Sequence, residues 1–458
     1  MRRCLPYVLA AGGAAACAQA EFFVCNGDDD CTNSAGDGVC QPTGGCSFPD
    51  PECESGQRYG SQGPPSIANE CVQHGGTTGV AEPGTSTGGG DSSGTAALDE
   101  RAASSSSEGS SSEGAGTTGE TCPEGWWDCA YASRHRLSVS EAVATELTNV
   151  PVLVVLDETR VDYAGMQNDG EDIRFVTAGG TAAPFEFIEW NHGGPSLAWV
   201  MVDELGGSAD HLWLYYGNPV AQTPRDLGAV WPAPFAAVWR LDGDATDATD
   251  NGNDATPHQP VAFDGGQVAQ AQDFLGSDAR LTVATSETVG DVFATGGTIS
   301  AWILPRGWGA GDFGRVGDKF GSGAGWRFYL GANGRLRFSL GWGPMMERTW
   351  TTPTGVIELD TWANVAATFD TTPPASVRLY VNGVEAELDP PPDAFDGPPV
   401  SDLDNDLLIG NRGGLDRQFH GLIDELRLAT ETRPSAWFAV QHASATDTLL
   451  TYGPAEAQ

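Results

Sequence analysis

The sequence predicts an all-β protein whose C-terminal half folds into a jelly-roll sandwich of two sheets. Short runs of alternating apolar and polar residues recur after residue 230, Asn-Gly turns separate some of them, and no convincing helical period competes. Abrupt composition changes earlier in the chain indicate further modules. The predicted division is a signal peptide at 1–20, a cysteine-rich disulfide module at 21–72, a disordered linker at 73–121, a smaller β-sandwich-like domain at 122–224 and the jelly roll at 230–458.

The first twenty residues carry the features of a secretory signal peptide. Arg2 and Arg3 form a positive start, residues 5–16 are mostly apolar and small, and Ala18-Gln19-Ala20 provides a cleavage signal. Lipid attachment at Cys17 is the alternative, although the usual large aliphatic residue three positions before it is missing. No later segment is apolar for the roughly 18 residues that a membrane span needs. We therefore expect a secreted or outer cell-surface protein.

Eight further cysteines all lie before residue 130, which in an exported chain predicts disulfides. Their spacings lack the C-x₂-C pair typical of zinc sites, so zinc is the weaker alternative. Six of them belong to the predicted cysteine module, and six cysteines allow 15 pairings, among which the sequence does not choose. The predicted disulfide cysteines are Cys25, Cys31, Cys40, Cys46, Cys53, Cys71, Cys122 and Cys129.

The segment at 73–121 is dominated by Gly, Ser, Thr, Glu and Ala, including the serine run at 104–107. Such a composition buries too little apolar surface to offset the entropy of ordering the chain. It predicts a flexible spacer. After it, the apolar run Pro151–Leu156 and the alternating run Asp172–Val176 predict strands of a compact antiparallel structure.

Two hairpins give the clearest pattern after residue 230. In the first, Asn382-Gly383 separates an alternating run at 377–381 from another at 384–388. In the second, Asn333-Gly334 lies between alternating runs at 326–330 and 336–340. Asn-Gly suits the two-residue hairpin turn because both positions need positive φ. Many short strands with regular turns are typical of a two-layer sandwich.

Seven sequence motifs occur in a fixed order after residue 230. They are Val238–Asp242, Asp247–Ala255, Ile299–Trp302, Trp362–Asp370, Arg378–Val384, Leu408–Gly410 and Gly421–Arg427. Together they resemble the concanavalin A-like, laminin-G-like jelly rolls of bacterial extracellular proteins; one departure is Asp250, where the family motif has glycine. The preceding module is similar to a bacterial β-domain of uncharacterised function that often accompanies them. This second resemblance implies architecture and no activity.

The resemblance implies a structural Ca²⁺, with Asp247 and Asp424 at the matching positions. Carboxylates and loop carbonyls suit a hard cation, and Asp250 and Asn253 would add oxygens if their loop folds back. The alternative is that these are turn residues capping their own backbone. For ligands, Trp308, Trp342 and Trp350 occur in Gly-rich or polar segments that predict loops, where their rings would stack on sugars. Alternatively, they cover sheet edges or the rim of the core.

Charge and motif content exclude several function classes. The formal net charge of −39 opposes binding to nucleic acid. No G-x-S-x-G, H-E-x-x-H or P-loop motif occurs, and the adjacent Asp424 and Glu425 should point to opposite faces of a strand rather than form a catalytic pair.

The sequence therefore predicts an exported, non-catalytic recognition or adhesion protein that binds an extracellular glycan or protein through a calcium-stabilised jelly roll. A structural cell-surface stalk component with no discrete ligand is the first alternative. A glycan-active hydrolase is the second, because sites can assemble from distant residues. The oligomeric state does not follow from the sequence.

Overall fold

The computed structural model describes most of the chain after residue 123 and short stretches before it. The described residues are 31–33, 36–40, 46–49, 53, 57–59, 123–139, 146–207, 210–222, 230–258, 262–390 and 397–458. The chain divides into two compact units, Met1–Glu113 and Gly114–Gln458. The predicted signal peptide, Cys17 and the predicted linker at 73–121 lie outside the described residues, as do Cys25, Cys71 and Cys122.

The described part of the first unit consists of short strands and disulfides. Strands β1 (Thr32–Asn33) and β2 (Gly36–Asp37) form one pair, and β3 (Val39–Cys40), β4 (Cys46–Pro49) and β5 (Gln57–Tyr59) form a three-stranded sheet. A disulfide joins Cys31 to Cys46, with an S–S distance of 2.02 Å. Cys53 is also disulfide-bonded, as is Cys129 in the second unit. The predicted participation of Cys31, Cys46, Cys53 and Cys129 in disulfides is confirmed.

The second unit begins with a module of two small sheets. Its strands are β6 (Ser133–Val139), β7 (Leu147–Leu156), β8 (Arg174–Thr177), β9 (Ala182–Ala183), β10 (Phe185–Glu189), β11 (Ser196–Leu205) and β12 (His211–Tyr216). One sheet has the order β10-β11-β7, and β6-β12-β8-β9 form most of the other. The apolar run at 151–156 lies in β7, where Val152, Val154 and Leu156 are fully buried.

The jelly roll follows with fifteen strands. They are β13 (Phe235–Trp239), β14 (Ala255–Pro257), β15 (Ala262–Gly265), β16 (Gln270–Asp273), β17 (Leu281–Val283), β18 (Gly297–Gly307), β19 (Arg315–Gly321), β20 (Ala324–Gly331), β21 (Arg335–Trp342), β22 (Glu347–Thr351), β23 (Ala363–Asp370), β24 (Ser376–Val381), β25 (Val384–Glu385), β26 (Leu407–Ile409) and β27 (His420–Ala429). An eight-stranded sheet contains β15-β16-β27-β18-β23-β24-β25, with β13 beside β27, and a seven-stranded sheet has the order β14-β17-β26-β19-β20-β21-β22.

Both predicted hairpins are confirmed. Asn382 and Gly383 connect β24 to β25 with φ values of 51° and 79°, and Asn333 and Gly334 connect β20 to β21 with φ values of 60° and 73°. Between the two sheets, one apolar cluster contains the inward side chains of β20 and β21, including the fully buried Phe328 and Phe338. Each such ring stabilises the fold by about 1.5–3 kcal/mol relative to an exposed one.

A helix and a last strand follow the jelly roll, and neither was predicted. Helix α1 (Ser435–Ala445) begins after Pro434, and the turn at Gly383 packs so closely on it that an added Cβ would lie 2.9 Å from the Cα of Ala439. Strand β28 (Leu450–Ala457) then pairs antiparallel with β6 of the first module. The predicted end of the jelly roll at 458 is therefore wrong, because this strand belongs to the preceding sheet. The remaining domain bounds stay predictions.

The two β-modules of the second unit share one hydrophobic cluster. Trp199 from β11, Trp437 and Phe438 from α1, and Trp302 and Tyr380 from the outer face of the eight-stranded sheet all belong to it. The first module and α1 thus cover that face of the jelly roll, which leaves the outer face of the seven-stranded sheet for other contacts. Among the described helices, none is long and apolar enough to cross a membrane.

Candidate functional site

The outer face of the seven-stranded sheet is mostly polar. Inward residues such as Leu281, Leu407 and Phe328 alternate with outward ones, as the two-residue period of a strand requires. Cross-strand pairing aligns the outward residues into one row that crosses six strands. In order, this row contains Thr282, Leu408, Asp318, Arg327, Ser339 and Thr349.

Near one side of this row the surface sinks into an open recess of about 540 Å³. Its walls combine outward side chains of β17, β19 and β20 with loops before and after β26. The side chains that matter below are Arg280, Asp318, Phe320, Arg327, Asn405 and Arg412. The volume lies within the range of about 300–1,000 Å³ typical of small-molecule sites.

The floor of the recess contains a guanidinium stacked on an aromatic ring and two ion pairs. The Arg327 guanidinium lies 3.6 Å above the Phe320 ring and donates to Glu347 at 2.6 Å. Arg315 Nε donates to Asp318 Oδ2 at 2.7 Å. Burial raises the pKa of Asp318, and the neighbouring Arg315 opposes this shift. The Asp318 carboxylate therefore accepts its main hydrogen bond from Arg315 rather than from a ligand.

Lys319, the single lysine of the chain, fixes one wall of the recess from beneath. Its side chain points inward, and its Nζ donates to Thr285 Oγ1 at 3.2 Å, to the Asp402 carbonyl at 2.9 Å and to the Asn405 carbonyl. The Asp402 carboxylate lies 3.2 Å from the same nitrogen. One buried cation thus holds the loop that carries Asn405.

Comparison with known families agrees with this geometry. Residues 275–440 match the family model described as the concanavalin A-like lectin/glucanases superfamily. Residues 275–440 form a concanavalin A-like domain. Residues 169–252 match a domain of unknown function, which precedes the concanavalin A-like domain and extends across β13. No curated protein shows significant similarity to the chain.

Among solved structures, three illustrate what this chain is similar to. The binding domain of Paraclostridial Mosquitocidal Protein 1 is 15% identical with a TM-score of 0.38, over 46% of this chain and 52% of that one. Domain 4 of AbnA, a GH43 extracellular arabinanase from Geobacillus stearothermophilus in complex with arabinotriose, is 20% identical with a TM-score of 0.33, over 47% and 98%.

The third is the binding domain of Botulinum Neurotoxin DC in complex with SialylT, 13% identical with a TM-score of 0.35, over 46% and 52%. This chain therefore spans about half the length of the two toxin binding domains.

The three predicted ligand tryptophans of the concanavalin A-like domain do not form a shared platform of loops. Trp342 ends β21 and Trp350 lies in β22; their side chains are 8% and 3% exposed and belong to the core cluster. Their predicted placement in loops is wrong, because Gly341 beside Trp342 belongs to β21 and the polar residues beside Trp350 belong to β22. Trp308 does follow β18 in a turn, but its half-buried ring packs on the core and covers the Gly334 turn.

The predicted calcium ligands do not come together. Both oxygens of Asp247 accept hydrogen bonds, Oδ1 from Val238 N and Thr249 N, and Oδ2 from Thr249 Oγ1 and Asn253 N, all within 3.0 Å. The Asn253 amide is likewise engaged, with Oδ1 accepting from Ser286 at 2.7 Å, and Asp250 is exposed.

Asp424 lies apart from that loop and accepts from Val268 N at 2.9 Å. Within the described part of the chain, no three acidic, histidine or cysteine side chains are grouped as a metal site. The predicted set therefore does not fit a calcium ion: the oxygens of Asp247 and Asn253 already serve as loop caps. Burial, reinforced by the negative charge of Glu425, raises the pKa of Asp424 well above its ordinary value.

Asp424 and Glu425 do not point to opposite faces as predicted. The pairing of β27 with β18 shifts register here, and Glu425 has a φ of 50°, so a β-bulge interrupts the alternation. Asp424 faces Val268 and Glu425 faces Trp199 and Arg427, all on the side covered by the first module. The cavity beside Glu425 measures about 10 Å³, room for at most one water. No substrate reaches these carboxyls.

Sequence reasoning missed the recess because its residues come from separated strands and a loop. Arg280, Phe320 and Arg327 each look like ordinary outward strand positions, and only the pairing of β17, β26, β19 and β20 brings them together. One signal was available: a lone lysine followed by phenylalanine inside an arginine-rich strand region of an acidic chain.

Proposed function

We propose that this chain is an exported, non-catalytic binding protein that holds a glycan in the recess on the outer face of the seven-stranded sheet. The observation that carries the proposal is the composition of the recess. It combines an aromatic ring at Phe320 with guanidinium groups and the amide of Asn405, around a volume suited to one or two sugar rings. Sugars offer apolar C–H faces for the ring and hydroxyls for the polar groups.

Support for a non-catalytic role comes from the carboxyl groups. Glycan hydrolysis generally needs two carboxyl groups on either side of the scissile bond. In the recess, Asp318 is held by Arg315 and Asp406 Oδ1 accepts from Thr285 N, which leaves Asp404 as the one carboxyl there without a protein donor among the described residues. Asp424 and Glu425 are sealed beneath the first module. Export is supported by the Cys31–Cys46 disulfide, since disulfides persist in oxidising compartments. Calcium is not part of this proposal, because Asp247 and Asn253 serve as loop caps and Asp424 lies apart from them.

Retention of the full chain on a glycan array tests the proposal. We expect specific glycans to be retained, Phe320→Ala and Asn405→Ala to abolish retention, and Trp308→Ala to leave it unchanged. All variants should keep the far-ultraviolet circular dichroism of the parent. Retained glycans should show no new reducing ends after prolonged incubation.

Three results would contradict the proposal. Loss of retention in Trp308→Ala alone would move the site to the predicted tryptophan. No retained glycan at all would favour a protein ligand or the stalk role, and released reducing ends would indicate a hydrolase.

A further inference from the structure

Six arginines of this acidic chain lie on the face that holds the recess. The whole protein has 23 Lys and Arg against 62 Asp and Glu. The arginines at outward positions of the seven-stranded sheet or in the adjoining loop are Arg280, Arg315, Arg327, Arg335, Arg337 and Arg412. A cation surrounded by so many carboxylates normally acquires a partner, so an unpartnered one is informative.

Most of these arginines are indeed paired within the protein. Arg315 pairs with Asp318, Arg327 with Glu347, Arg335 with Asp389, and Arg412 with Asp416. The last pair is strong enough to lower the pKa of Asp416 to about 2, chiefly through the hydrogen bond from Arg412.

Arg280 and Arg337 differ, since no described residue accepts a hydrogen bond from either guanidinium or forms an ion pair with it. Arg337 stacks over Phe313 at 5.4 Å and does not line the recess. Arg280 does line it, with Arg327 and Arg412 also on its walls.

The acidic groups of the recess do not neutralise Arg280. Asp318 is bound by Arg315, Asp406 Oδ1 accepts from Thr285 N at 3.0 Å, and Asp404 is exposed. A planar guanidinium without a carboxylate partner matches the geometry of a carboxylate or sulfate and binds it through paired charge-assisted hydrogen bonds. Asp404 and Asp406 also line the recess, but neither forms an ion pair with Arg280, which leaves this guanidinium free to bind an anionic group of a ligand.

We propose that the recess selects glycans that carry a negative group, a uronate carboxylate or a sulfate ester, and that Arg280 binds this group. The inference rests on the proposed glycan function and narrows its substrate class. Phe320 then contacts the apolar face of the charged sugar through the part of its ring that Arg327 leaves uncovered, while Asn405 contacts hydroxyls of the same or the neighbouring ring.

Matched ligands and matched variants test the inference on the full chain. The ligands are a galacturonate trimer and its methyl ester, and N-acetylglucosamine 6-sulfate and its unsulfated form. The variants are Arg280→Gln and the control Arg337→Gln, which removes the same charge from the same face outside the recess. Dissociation constants are measured by isothermal titration calorimetry at two salt concentrations.

We expect the acidic member of at least one pair to bind more tightly than its neutral counterpart, and Arg280→Gln to weaken it about tenfold, the loss typical of one charge-assisted bond. Arg337→Gln should change binding less than twofold. The pair that responds distinguishes carboxylate from sulfate. Equal binding of acidic and neutral forms overturns the inference and leaves the proposed function standing, as does equal weakening by both variants. Failure of every glycan, on the array as well, overturns both.

Discussion

At the scale of single residues, two buried ionisable side chains show how the same burial leads to different roles. Lys319 has no exposed side-chain surface, yet its ammonium group reaches a hydroxyl, two carbonyls and a carboxylate. Asp424 is equally buried, but its Oδ1 has no hydrogen-bond partner and a second carboxylate, Glu425, is close to it. The first residue is satisfied in its charged form and stabilises a loop. The charged form of the second, Asp424, is disfavoured.

Replacement of Lys319 should therefore be costly. In Lys319→Met the carboxylate of Asp402 and the carbonyls of the recess loop lose their donor, and breaking a buried pair from one side costs about 3–5 kcal/mol. Urea denaturation measures this loss, and glycan affinity should fall with it because the Asn405 loop is released. The control Arg378→Met removes a cation from an exposed ion pair and should cost less than about 1 kcal/mol. A similar small loss in Lys319→Met would contradict the anchoring role.

The pH dependence of stability should report Asp424. Its folded-state pKa is raised, so between the ordinary value of 3.8 and the folded value the unfolded chain has released this proton while the folded chain keeps it. The unfolded state then binds fewer protons, and stability falls as pH rises through this window. Asp424→Asn removes that fall. We expect the variant to melt about 2 °C or more above the parent at pH 7.5 and close to it at pH 4.

The exposed Asp250→Asn is the control for this experiment and should change neither value. Adding millimolar Ca²⁺ should leave the melting temperature of the parent unchanged, since Asp247 and Asn253 are occupied by protein donors and Asp424 lies apart from them. Destabilisation by Asp424→Asn together with stabilisation by Ca²⁺ would instead show that the carboxylate is a metal ligand.

At the scale of secondary-structure elements, the C-terminal strand β28 has the most unexpected role. It lies at the edge of the sheet β28-β6-β12-β8-β9. Tyr452 anchors it: its hydroxyl accepts from Val155 N at 3.1 Å, Arg160 lies over its ring at 4.5 Å, and burial raises its pKa to about 12. The C-terminal strand thus completes a sheet of the module with which the second unit begins.

Truncation of this strand should destabilise the first module. Removing residues 450–458 exposes β6 as an edge and the apolar surface around Tyr452, so we expect a lower melting temperature and aggregation. Tyr452→Phe keeps the ring and loses one hydrogen bond, which should cost only about 1 kcal/mol. Differential scanning calorimetry separates the two. A truncated chain that melts like the parent would mean that the pairing with β6 contributes little.

At the scale of the whole second unit, the first module and the jelly roll are joined by a buried polar network inside their shared apolar cluster. The Arg427 guanidinium lies between Trp199 and Trp231, 4.4 and 4.7 Å from their ring centroids. Glu425 pairs with it at 2.7 Å and also accepts from Trp199 Nε1 at 3.1 Å. The geometry fixes one orientation of the two modules, since both tryptophans and the ion pair must meet at once.

The two modules should consequently unfold together. We expect calorimetry of the full chain to show one cooperative transition for both, and Arg427→Met to lower it as a whole, because Glu425 is left buried without its cation. Separate transitions for the two modules, or a shift of only one, would contradict this. The jelly roll without α1, residues 230–434, exposes the face that carries Trp302 and Tyr380 and should bind hydrophobic dyes.

The sequence by itself determined the sandwich class, both Asn-Gly hairpins and the use of Cys31 and Cys46, because these depend on local alternation, turn chemistry and residue type. It misplaced Trp342 and Trp350 and missed both α1 and β28. It also placed Asp424 and Glu425 on opposite faces. Those features depend on which strands pair, where a bulge resets the alternation, and which module covers an apolar face.

The recess belongs to this second group of features. Arg280, Phe320 and Asn405 lie far apart along the chain, and strand order in the seven-stranded sheet brings them to one wall. Pairing between distant strands is a property of the folded chain as a whole, and therefore only the tertiary structure showed which arginine was left without a partner.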